Sequence, residues 1–301
     1  LQALRDEAQA GRSASLSGMD ETRLRETALA AGDTAEAVAA QLRQVRRLTT
    51  GSDARRGALI DLVRIEAAWS RTTSATLLER WRTLRGEWAA GAVFDAVTAA
   101  LTRALLERGD LEAARLTVAD DPGPRTRVEH GWLLLAEGQL GAGQQLLRSV
   151  VPALGPDEAT EVLEVLASLS RTGAGSAAVL AAAWAEARHG RFEVGLARIE
   201  DQLGLASDEE RPALHHAAAR IALDAGEPLR AEPHLEALAD RSDRPVERPE
   251  ALLALARIQA ARPDGTEAAR QLLTQLILEH PAAAIVPEAR HELETLERGS
   301  R

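Results

Sequence analysis

A chain of 301 residues is long enough to bury a large core; 45% of it is hydrophobic, only 2% is aromatic, and its formal net charge is −10. The apolar mass is Ala, Leu and Val rather than Ile, Tyr and Phe, which favours helix over strand. Acidic balance without a basic stripe argues against nucleic acid as the main ligand, and the absence of Cys excludes disulfides, thiolate metal sites and a cysteine nucleophile.

Residues 1–10 read as a partial helix and 11–18 as a Gly/Ser loop. Helices over 20–30 and 33–48 form a first hairpin about Gly32, with Asp33 as N-cap. Ser52 or Asp53 caps a helix to about residue 70, and Thr73 or Ser74 caps the next, to 89. Helices over 91–108 and 111–119 pair about Gly109, and the Pro-Gly-Pro run at 122–124 is a stop. Helices over 125–137 and 140–151 pair about Gly138. An additional helix spans 156–170, with Pro156 and the acidic Asp157 and Glu158 in its first turn. Residues 171–176 are the most flexible candidate linker. Pairs about Gly190, Gly226 and Asp264 follow, and a helix over 287–298 closes the series as a cap. No uncharged apolar stretch reaches the ~18 residues that span a bilayer.

Six of these turns share one register. Five residues after each anchor stands a small residue: Ala37, Ala114, Gly143, Gly195, Ala231 and Ala269. Four positions later an apolar residue follows in five of them, namely Val118, Leu147, Ile199, Leu235 and Leu273; Gln41 is the exception. Glycine ends one helix in a tight left-handed turn, and the small residue lets two antiparallel helices approach. The pattern predicts an all-α, right-handed α-solenoid of stacked helical hairpins, roughly 15–17 helices in all. We expect a single continuous solenoid over 1–301, with room for a bend or sub-division near 171–176.

The stretches G-D-L-E-A-A-R from Gly109 and G-R-F-E-V-G-L from Gly190 resemble the hairpin of the tetratricopeptide repeat. So does A-A-R-Q-L-L-T-Q-L-I-L-E-H-P from Ala268, in which Ala269, Leu273, Leu276 and Pro281 fall as that family's second helix requires. The following A-A-A-I-V-P-E-A-R-H-E-L, ending at Leu293, resembles the junction in bacterial envelope repeat proteins of the outer-membrane assembly and cell-division-coordinator type. The large aromatics usual in the family's first helices are mostly Leu, Ala or Val here. The resemblance implies a protein-binding scaffold rather than a chemistry.

No catalytic constellation stands out. The adjacent His215 and His216 point about 100° apart on a helix, so they do not serve one face. His291-Glu292 lacks the second His of a zinc helix, and no phosphate-binding glycine loop with Lys exists. We therefore expect no enzyme activity, no metal and no cofactor. One row stands out: Trp132 and Trp184 each lie six residues before their turn glycine, where the other hairpins carry Glu26, Arg103, Arg220 and, counted from Asp264, Ile258. A shared offset places side chains on one surface of a solenoid. Arg103, Trp132, Trp184, Arg220 and Ile258 are thus candidates for a protein-binding groove, with both Trp partly exposed. Such a groove suits a peptide with apolar anchors and some acidic residues. The alternative is that the two Trp fill gaps between repeats and the Arg are solvated. Trp69, Trp81 and Trp88 form a second cluster that reads as core, with a docking surface as the minority view.

These observations predict a non-catalytic scaffold for other proteins or peptides, with no nucleic acid and no direct membrane span. A subunit of a large or self-associating assembly, homo-oligomers included, and a regulatory domain of a larger enzyme or signalling protein are the alternatives. The start at Leu1, the lack of Cys and the envelope-like junction point to a periplasmic or outer-membrane-associated protein; the alternative is cytoplasmic.

Overall fold

A computed structural model describes residues 18–88, 91–119 and 123–299 of the chain. The expected helix over 1–10, nearly all of the loop over 11–18, and the first residue of the stop, Pro122, lie outside the described residues. Among the described residues there are sixteen α-helices, one short 3-10 turn and no strand. The chain divides into two compact units: residues up to 133 with 145–155, and 134–144 with 156 to the end.

In the first unit, α1 (Gly18–Ala30) and α2 (Thr34–Arg47) form a hairpin, followed by α3 (Asp53–Ala68) with α4 (Ser74–Glu87), and α5 (Ala92–Glu107) with α6 (Leu111–Val118). Most of α7 (Pro124–Ala136) and the later part of α8 (Leu140–Val150) complete it. α3 lies beside α5 and α4 beside α6, the arrangement produced when hairpins stack in chain order. Asp33, Ser52, Thr73 and Asp110 cap α2, α3, α4 and α6, each side chain accepting from a backbone N–H three residues on. Leu59, Leu62, Leu77, Leu101 and Leu105 are buried at its centre.

In the second unit, α9 (Pro156–Ser170) packs on α10 (Ala174–Arg188). The hairpins are α10 with α11 (Phe192–Leu203), α12 (Arg211–Asp224) with α13 (Pro228–Ala239), and α14 (Arg248–Ala260) with α15 (Thr266–Glu279). α16 (Val286–Gly299) covers α15. Residues 171–176 are held to the rest of this unit at two points. Arg171 pairs with the buried Glu247 at 3.0 Å, and the Gly173 N–H donates to Glu210 at 2.7 Å. That hydrogen bond is the first reason the Glu210 carboxyl sits below the usual carboxylate range.

The shared register has a common structural cause. Gly32, Gly109, Gly138, Gly190 and Gly226 all adopt φ between +71° and +76°. Each N–H returns to the carbonyl three residues back, and the next N–H to the carbonyl five residues back, as in Gly226 to Leu223 and Glu227 to Ala222, both at 2.9 Å. The sixth turn is built differently. Gly265 has φ −90°, and a Cβ there would meet the Gln259 carbonyl at 1.8 Å. Glycine serves close approach in that turn, not a left-handed backbone.

The small residues at the fifth place are all buried, Ala37, Ala114, Ala231 and Ala269 completely. A Cβ on Gly195 would come within 2.7 Å of the Ala183 carbonyl, so α10 and α11 touch backbone to backbone there. Gln41 is as buried as its apolar counterparts. Its Nε2 donates to the Ala58 carbonyl at 2.7 Å, and its Oε1 accepts from Arg25 at 3.0 Å. Both ends of the amide are satisfied, which is the condition for burying it.

Candidate functional groove

The row of candidates does not form one solvent-facing strip. In the first unit, Trp132 is fully buried. Beside it a Cβ on Gly131 would meet Leu147 at 2.7 Å, which shows how closely α7 approaches α8. Arg103 is half-exposed, its guanidinium donating to the buried Glu129 at 3.0 Å, and Glu26 stands largely in solvent. In the second unit, Trp184 is 7% exposed and Ile258 8%. The expected partial exposure of Trp132 and Trp184 is therefore corrected, and Ile258 joins the core with them.

The physical reason is that this register position lies at the margin of the helix contact. An Arg there buries its stem and extends its head into water, whereas a Trp gains by folding its ring inward. Around Trp184 the buried Ala177, Ala181, Ala183, Ala185 and Ala187 make α10 thin enough for that.

Of the row, Arg220 lines a groove. This groove, of about 380 Å³, lies wholly within the second unit. Its floor is apolar: Ala219 and Leu223 from α12, Ala251, Leu253 and Ala254 from α14, Leu235 from α13, and Ile285 before α16. Its rim is charged. Arg220 lies between Glu164 of α9, at 3.6 Å, and Asp224, at 3.3 Å. His216 Nε2 lies 2.9 Å from Glu250 Oε2, and that hydrogen bond is the first cause of a Glu250 carboxyl held below its ordinary range. Arg257 donates to Glu292 at 2.7 Å and to Glu288 at 2.5 Å.

His215 faces elsewhere. Its Nδ1 meets His234 Nδ1 of α13 at 3.1 Å, so the adjacent histidines serve two different faces, as the helical angle requires. In the first unit, Trp81 is core and donates to Thr98 at 3.3 Å; Trp69 and Trp88 pack half-buried against that core. Arg85 lies over the Trp81 ring, and Arg56 over Trp88.

His216, Glu250, Arg257 and Glu164 escape a reading anchored on turn residues. The last turn is longer on its first-helix side. Counted from Pro263 rather than Asp264, Arg257 stands six residues before the turn, where Arg220 stands before Gly226. Ile258 then matches the buried Ile221. The available signal was the pairing of Arg220 and Leu223 on α12 with Ala254 and Arg257 on α14, which share a three-residue spacing.

No helix among the described residues is long and apolar enough to cross a membrane. No protein-family profile matches the chain, and no curated protein matches it. Among solved structures, a tetratricopeptide repeat protein from Parabacteroides merdae ATCC 43184 is similar over 94% of this chain and 100% of its own, at 13% identity and a TM-score of 0.40.

Proposed function

We propose that this chain is a non-catalytic scaffold that holds a segment of another protein in the groove of its second unit. One observation carries this reading: an open apolar trough of about 380 Å³ lies across α12, α14 and the approach to α16, rimmed by charges. Helical hairpins stacked in order create extended surfaces of this kind, on which a peptide is recognised by a few apolar contacts and a charged margin. The rim groups are tied to one another in ion pairs and stand on separate helices, a design that fits recognition.

A photo-crosslinking residue placed at Leu223, on the floor, is expected to trap a discrete protein partner in the native extract. The same residue at Leu229, exposed on α13 and outside the groove, is the control. Equal adducts at both positions, or none at Leu223, would sink the reading. The envelope location belongs to the same proposal, supported by the resemblance of residues 268–293; finding the native protein only in the cytosolic fraction would remove it.

A further inference from the structure

The groove's charges do more than decorate it. Arg220 is shared by Glu164 and Asp224, and Arg257 by Glu288 and Glu292. Glu250 adds a fifth carboxylate, held by His216. Arg220 and Arg171 also act on Glu250, and Arg171 is itself paired with the buried Glu247. Four carboxylates of the groove lining, with Glu292 beside it, thus face two guanidinium groups around one apolar floor. Both Arg are already held by carboxylates, and Glu164, Asp224, Glu250 and Glu288 all keep part of their side chains in solvent. The chain as a whole carries −10, so the far field has the same sign as the near one.

Resting on the groove reading above, we propose that the occupant is a cationic segment of a partner protein. Its Lys or Arg side chains reach the rim carboxylates while a short aliphatic side chain lies on Ala219, Leu223 and Ala254. This reverses the acidic partner expected from the Arg residues alone, because those Arg are already neutralised. A cation brought to the rim adds a favourable pair to each carboxylate it meets; an anion must first break Arg220 or Arg257 free.

Panning a random twelve-residue peptide library displayed on phage against the full chain tests this. Clones retained by the wild type but lost on Ala254→Trp, which fills the floor without changing charge, depend on the groove. Leu223→Trp on the neighbouring helix repeats the selection, and circular-dichroism melts certify that the variant used is folded. Groove-dependent clones are expected to be enriched in Lys and Arg. Their affinity should fall about two- to fivefold for each carboxylate removed in Glu164→Gln and Glu288→Gln, and should weaken with salt. Groove-dependent clones rich in Asp and Glu, or without charge preference, would overturn the cationic partner and leave the groove standing. A library yielding no groove-dependent clone would overturn both.

Discussion

His215 and His234 face each other Nδ1 to Nδ1 at 3.1 Å across the α12–α13 hairpin, close enough to share a single proton. Burial, followed by His234 and by Arg211 and Arg241, pushes His215 from 6.5 down to about 4. Burial also lowers His234, which Arg230 reinforces and Glu200 opposes. Both folded-state values lie below the unfolded value, so the unfolded chain takes up protons first as pH falls. Stability from this pair is complete above about pH 6.5 and is lost between there and pH 4. Melting should therefore drop more steeply between pH 7.5 and pH 5 in the wild type than in His215→Gln. Identical slopes in the two proteins would exclude the pair as the cause.

Trp132 and Trp184 are buried and hold their own units together. Trp132→Ala and Trp184→Ala should each cost about 3–5 kcal/mol of stability, measured by chemical denaturation. A loss below about 1 kcal/mol at either site would contradict the burial described above.

Ala269 sits with no exposed surface where α14 and α15 pack. Ala269→Glu forces an unpaired carboxylate and four extra heavy atoms into that contact. A loss of several kcal/mol is expected, with the melting transition falling by more than ten degrees. Ala268→Glu, one residue away on a partly open face, is the matched control and should melt near the wild type.

Gly226 and Gly265 end hairpins by different means, and alanine distinguishes them. At Gly226 a Cβ meets open space, so Gly226→Ala pays only for a left-handed backbone, about 1 kcal/mol. At Gly265 the Cβ would lie 1.8 Å from a carbonyl oxygen, so the turn itself must shift. Gly265→Ala is expected to be the more damaging by a clear margin in a thermal melt; the opposite order would refute the close-approach account.

The hairpin register was legible because it rests on two local necessities, a left-handed glycine and a small residue at a helix contact. Ala37, Ala114, Ala231 and Ala269 are buried for the reason their spacing gives. Caps were legible to within a residue, Asp33 outright and Ser52 and Thr73 each as one of two adjacent candidates, since a cap needs only its own next turn. The groove was not. Its rim joins Glu164, Arg220, Glu250 and Glu288 from four helices, and one longer turn displaces Arg257 from its counterpart by a residue. Nor does an offset from a turn say whether a side chain lies inward. Arg103 and Trp132 share theirs, yet one reaches water and the other has none.

Hairpins built on one register carry a hazard, since each offers its neighbour a surface of small and aliphatic side chains. Gln41 works against that confusion. Its amide fits the Ala58 carbonyl on α3 and the Arg25 guanidinium on α1, and Arg25 continues to Asp61 at 3.0 Å. Of the six turns in common register, only the first has a polar group at this place. Seated against any of the others, it would strand its amide among aliphatic side chains. The first hairpin therefore bears an address: it docks well in one location, and a chain that assembles out of order there is penalised before it can settle.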